Sequence, residues 1–394
     1  MKRVVIIVVV FIIIISSFVY IDLNQNKTSF HDVKISFEKD NNNYKDVYNE
    51  RDFLDALDNN NIKIINIMND LDLGYNYLID NNIKSNYIEE HNKALTHPIL
   101  INTGVSKLNI SNRKDLIITS NGFKLLHCNI VINNSENIKI DNIELDELWE
   151  WDEKSFAKYD VNDWDYITIK NSNNIVISNI TFNKSYDGIV DIDNSKNITI
   201  KNNKVNEIDI NNNYFNEQFV ELENNKDKYK MYKYLRDNAK LSVDQIKRLS
   251  NYQYKLFLIG TKDYGYKNNN IVIHDNMFLN VKTRIPQARN SSVYFYNNYI
   301  DSSKINYDII SKKQKEIIND SKYQKLVHLT TYGIISIQRS YVVSSNNIFK
   351  GVNIPYTSGR DNKYSNIGRI VIKEDKDFLS KLKDELNNNV GIQK

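Results

Sequence analysis

Short alternations of apolar and polar residues recur along the chain, each followed by an Asn and a second, shorter apolar stretch. Residues 135–145 (SENIKIDNIEL) set the pattern. It returns at 172–182 (SNNIVISNITF), 195–205 (SKNITIKNNKV), 268–278 (NNNIVIHDNMF) and 290–300 (NSSVYFYNNYI), and in weaker form at 339–349 (RSYVVSSNNIF). Alternation with period two marks a strand that buries one face. The Asn between the two stretches suits a bend, because Asn tolerates left-handed backbone. Stacked Asn side chains also form ladders, so these residues read as structural. The copies lie about twenty-odd residues apart, or further where insertions intervene, which is the mark of a solenoid. The pattern predicts an all-β chain: a right-handed, single-stranded parallel β-helix with helical insertions, spanning residues 30–394. A propeller needs a longer period with Gly and aromatic marks. A sandwich needs repeated hairpin signals, of which only Asn121-Gly122 and Asp187-Gly188 occur.

Other segments read as helix. Residues 50–57 (ERDFLDAL) precede a strand at 62–67 (IKIINI). Residues 214–252 form a helical insertion between coils, with an N-cap at Ser242. Residues 309–329 suggest another, and 378–386 a C-terminal helix that covers the open end of the solenoid.

The first residues read differently. Lys2-Arg3 precede an unbroken apolar run from Val4 to Ile15, extended by Phe18, Val19 and Tyr20. A short basic start and an apolar stretch predict a secretory signal over residues 1–22. No small-x-small cleavage site follows, and the run nears the length needed to span a bilayer, so an uncleaved anchor is the alternative. In both cases the body lies outside the cytoplasm.

Composition narrows the partners. Hydrophobic residues make up 41% and charged residues 26% of the 394, as in a globular protein. A net charge of +3 makes no case for nucleic acid, which calls for a concentrated basic face. A local basic cleft for an acidic polymer remains compatible with it. No protein partner is implied, and a monomer is expected. The one cysteine, Cys128, excludes an intrachain disulfide; in the apolar stretch 125–132 it reads as a packed core thiol.

Three clusters carry candidate chemistry. Asp163-Trp164-Asp165 stands at the entrance of a strand, with its two carboxylates on one face. Asp187-Gly188-Ile189-Val190-Asp191 follows about one coil later. Four carboxylates from adjacent coils repel one another unless a cation binds, and oxygen donors favour a hard ion such as Ca2+; scattered surface acids are the plainer alternative. The third cluster is basic: Lys255, then Arg284-Ile285-Pro286-Gln287-Ala288-Arg289. Pro286 stiffens that turn, and two arginines on one rigid bend suit carboxylate binding.

In this order the motifs resemble polysaccharide lyase family 1, the pectate lyases. The matches are the pair in DWD (163–165), the acid-x-x-x-Asp pair in DGIVDI (187–192), the K-x-x-L-x-G stretch at 255–260, and the R-x-P-x-x-R motif at 284–289 before VYFYNNY (293–299). The resemblance covers roughly residues 50–350. It implies a calcium-dependent enzyme that cleaves pectate, or a related uronate polymer, by β-elimination. It further implies that Asp163, Asp165, Asp187 and Asp191 bind calcium, that Lys255 and Arg289 bind substrate carboxylates, and that Arg284 removes the C5 proton. An arginine base works best when the solution is poor in protons, so activity that rises toward alkaline pH is expected.

The chain departs from the family at 176–179 (VISN), where a Trp-x-Asp-His stretch is common. The insertion ahead of Lys255 is placed to reshape the cleft. His274, at a repeat position, reads as structural. Two other classes stay open: a non-catalytic β-helix that binds glycan or serves adhesion, and a glycoside hydrolase with two carboxylates and no need of metal.

Overall fold

The computed structural model describes residues 30–91, 97–151, 153, 164–207, 211–260, 268–306, 309–320, 330–359 and 368–373. The N-terminal apolar run, Asp163 and the expected helix at 378–386 lie outside these residues.

Among the described residues, successive coils lay one strand on each of three long sheets, and a fourth sheet pairs Gln253–Lys255 with Val281–Thr283. Sheet 1 has ten strands among the described residues, including Glu136–Asp141, Asn173–Ser178, Lys196–Lys201, Asn268–His274, Ser291–Tyr296 and Tyr341–Ser345. Sheet 2 has eight short strands among the described residues, including Glu144–Asp146, Thr181–Phe182 and Lys204–Val205. Sheet 3 has nine among the described residues, including Ser106–Ser111, Cys128–Asn133, Ile167–Lys170, Val190–Asp193, Phe257–Ile259 and Gln287–Arg289. One strand of sheet 3, Ile88–Glu90, runs antiparallel at its edge. This is the right-handed parallel β-helix that the repeat predicts.

The alternation holds the register. Leu116, Ile138, Ile175, Ile198, Ile271, Val293 and Val342 stand opposite one another on consecutive strands of sheet 1, and all are buried. A slip of one residue would turn this column out to water. The bends between sheets 1 and 2 also follow expectation. Asn142, Asn179, Asn202, Asn297 and Asn346 all take positive φ, between 52° and 55°. The next residue builds a ladder inside the coil: Asn203 donates to Asn276 (3.0 Å), Asn276 to Asn298 (2.9 Å), and Asn298 to Asn347 (2.9 Å).

The helical insertion holds three α-helices, Asn213–Asn224, Lys230–Asp237 and Val243–Asn251, with a 3-10 turn at Lys226–Lys228. Ser242 and Gln245 form a capping box on the last. The insertion clamps the loop that leads toward the Asp163–Asp165 pair. Trp149 packs on Phe215 at 4.9 Å and Trp151 on Tyr232 at 5.7 Å. Buried Glu153 accepts the N–H groups of Met231 and Tyr232 at a helix start, where a carboxylate is favoured. The helix expected over 309–329 is shorter among the described residues, Lys312–Asn319. The helix at Glu50–Asp58 is present, and the strand after it begins at Ile64. Cys128 is a buried thiol; burial, with Asp72 nearby, pushes its pKa up to about 12, so it stays protonated and inert.

Candidate active site

The outer face of sheet 3 carries the candidate residues. A cleft of about 420 Å³ lies on it, lined by Asp165 and Asp191 together with Lys107, Asn129, Thr168 and Lys170. Asp191 stands beside Thr168 on one neighbouring strand and Leu258 on the other, so its side chain points away from the core. Asp165 sits two residues before Ile167–Lys170 and is buried; its carbonyl accepts a hydrogen bond from Asn129 Nδ2 at 2.5 Å.

Asp187 lies on the next coil, and its N–H donates to Trp164 O at 3.1 Å. Gly188 makes that approach possible. A Cβ there would fall 2.4 Å from Asp165 Oδ1 and 3.3 Å from Leu256 O, so any side chain would be driven into the Asp165 carboxylate.

One coil further, Lys255 forms a buried ion pair with Asp187. The sequence assigns these two residues to different partners; the structure joins them to each other. Lys255 also pairs in register with Thr283, and Phe257 N–H donates to Arg284 O at 2.9 Å, which brings Arg284 onto the following coil. Arg284 is half-buried with φ of 60°, a conformation a non-glycine residue seldom holds unless its surroundings impose it. Its neighbours do so: Ile285 N–H donates to Gly333 O at 3.0 Å. Arg289 is not on the bend with Arg284. It ends the strand Gln287–Arg289, in register with Ile337.

Two further lysines are buried near this edge. Lys184 donates to Tyr252 O at 2.9 Å and its ammonium lies 5.3 Å from the Trp149 ring centre. Burial, and then repulsion from Lys282, draws its pKa down to about 7; burial alone draws Lys282 to about 8. The sequence reading passes over both, and over Lys107, Asn129 and Lys170 in the cleft. The period-two pattern of sheet 3 holds the signal for the cleft residues, since they alternate with buried Leu108, Ile130 and Ile169.

The structure therefore places Asp165, Asp187, Lys255 and Arg284 in sequence along the edge of sheet 3 formed by the N-terminal ends of its strands, with Asp191 on its face. Among the described residues no three acids, histidines or cysteines gather closely enough to hold a metal alone. The donor set is nonetheless of the kind a hard cation takes: carboxylate oxygens only, two of them opening on one cleft.

No family profile matches the chain. Pectate lyase B of Paenibacillus amylolyticus is 37% identical over 333 residues, which is 82% of this chain and 84% of that protein. The solved pectate lyase of Paenibacillus sp. 0602 superposes with a TM-score of 0.74 at 32% identity, covering 86% of this chain and 78% of that one. With this likeness along most of both chains, the protein belongs to the pectate lyases, enzymes that cleave the polysaccharide pectate.

Proposed function

We propose that this enzyme cleaves polygalacturonate by calcium-dependent β-elimination, outside the cytoplasm and as a monomer. The observation that supports this most is the line of Asp165, Asp187, Lys255 and Arg284 on consecutive coils beside a cleft that Asp191 also enters. Asp165, Asp187 and Asp191, with Asp163, are the residues that would hold the cation. When bound, calcium supplies positive charge that offsets the substrate carboxylate and makes the adjacent C5 proton more acidic.

The chain's own groups do the remainder. Lys255 and Arg289 pair with uronate carboxylates and orient the polymer across the strands. Arg284, entering the step as the neutral guanidine, accepts the C5 proton and becomes the guanidinium. The electron pair of that C–H bond forms the C4–C5 double bond, and the C4–O pair leaves with the glycosidic oxygen, which takes up a proton. Fixed positive charges near the reacting carboxylate stabilise the charge that builds there without having to reorganise. Because Asp187 and Lys255 are paired, a cation drawing on Asp187 would loosen Lys255 toward substrate.

The test is ultraviolet absorbance of the unsaturated uronide released from polygalacturonate. A rise with calcium that stops with excess chelator supports the reading. New reducing ends without that absorbance would instead indicate hydrolysis.

A further inference from the structure

Gln253 opens the short strand Gln253–Lys255, ahead of the catalytic edge, and is buried. Its amide meets two other segments at once. Oε1 accepts the Ser185 N–H at 3.0 Å. Nε2 donates to Ser185 Oγ at 2.9 Å, to Asp187 O at 2.7 Å and to Lys255 O at 2.9 Å, so two N–H bonds are shared among three acceptors. Ser185 Oγ in turn donates to Gly188 O at 2.6 Å. Gln253 N–H donates to Asn280 O, and its strand runs in register with Val281–Thr283, the lead into Arg284.

We propose that Gln253 is a positioning residue for the elimination: its side-chain amide sets the turn of Asp187 against Lys255, while the backbone of its strand keeps them in register with the lead into Arg284. The inference rests on the proposed lyase reading and assigns a role that no motif supplies. Only an amide offers an acceptor to Ser185 and donors to two carbonyls together. A glutamate of the same size would turn lone pairs toward the carbonyls of Asp187 and Lys255. Methionine would fill the volume and bond neither. A general packing role would need only the volume.

The test uses the full chain, with Gln253→Glu, Gln253→Met and, as a control remote from the edge, Asn298→Ala in the amide ladder. Two readouts are taken: the rise of Tm with calcium chloride alone, and KM and kcat on polygalacturonate. Both Gln253 variants are expected to need about tenfold more calcium for the half-maximal rise of Tm and to raise KM about tenfold, the scale expected when one buried hydrogen bond is removed. Asn298→Ala is expected to lower Tm and leave both midpoints alone. If neither Gln253 variant folds, Ser185→Ala, which removes one partner of the amide, must still shift the calcium midpoint upward. Folded Gln253 variants, or Ser185→Ala, with wild-type midpoints overturn the inference while a calcium-dependent wild type leaves the lyase reading standing. A wild type with no calcium-dependent Tm rise and no unsaturated product overturns both.

Discussion

The bend between sheets 1 and 2 and the edge of sheet 3 are built from the same coils, yet they hold opposite kinds of side chain. At the bend, Asn203, Asn276, Asn298 and Asn347 hand one hydrogen bond to the next, and each neutral amide satisfies its neighbour. At the edge, the equivalent stacking brings Asp165, Asp187, Lys255 and Arg284 together as charges, and two of them are paired out of water. A neutral ladder can be extended coil after coil without cost. A charged one stays in balance only through its particular partners, so removing a member harms it more. The solenoid supplies register to both, and chemistry is confined to the side where register meets charge.

Edge and bend should then differ in what the loss of one side chain costs. The largest effect is expected at the edge: Asp187→Ala takes the carboxylate from buried Lys255 and should cost about 3–5 kcal/mol of stability, the scale for halving a buried ion pair. Chemical denaturation measures it, and a loss no larger than that of a ladder variant would erase the contrast. A smaller effect is expected at the bend. Asn298→Ala strands donors and acceptors of Asn276 and Asn347 and should cost about 1–3 kcal/mol, with activity per folded molecule unchanged.

A separate effect is a pH dependence at the turn between sheets 2 and 3, where His127 joins Leu126 to Cys128. His127 bonds Asp72 at 2.8 Å and Glu147 at 3.0 Å, linking separate coils. Burial draws its pKa down, but hydrogen bonds and attraction to those two carboxylates outweigh it and raise the imidazole to about 9. A folded pKa above the unfolded value of 6.5 means that this stability is fully present below pH 6.5 and is lost as pH rises through about 9. Tm should therefore fall across that window, and His127→Gln should flatten the fall. A wild-type Tm that rises between neutral pH and a pH above that raised pKa would contradict the assignment of charge to His127.

The two regions also differ in how far they can be read from the chain alone. Sheet 1 is legible because the paired isoleucines Ile138 and Ile140, Ile175 and Ile177, and Ile198 and Ile200 repeat the same period-two pattern in each copy. The Asn at each bend follows from its tolerance of positive φ. Sheet 3 is hidden. Around the site its strands are as short as three residues, at Phe257–Ile259 and Gln287–Arg289, too short to display a period. The candidate acids and bases are found through motif order, a record of chemistry, whereas the Asp187–Lys255 pair, the reason for Gly188 and the amide of Gln253 depend on which coils become neighbours. A pairing such as that of Lys255 with Asp187, with the whole helical insertion between them in the chain, leaves no local trace.

The most direct test of the central claim is the rate of unsaturated product from polygalacturonate at saturating calcium, measured side by side for wild type and a folded Arg284→Ala variant. A fall of about a hundredfold or more, as expected when a positioned base is removed, with Tm held near the wild-type value, is the predicted result. An Arg284→Ala enzyme that keeps the wild-type rate would contradict the assignment of proton abstraction to this edge of sheet 3.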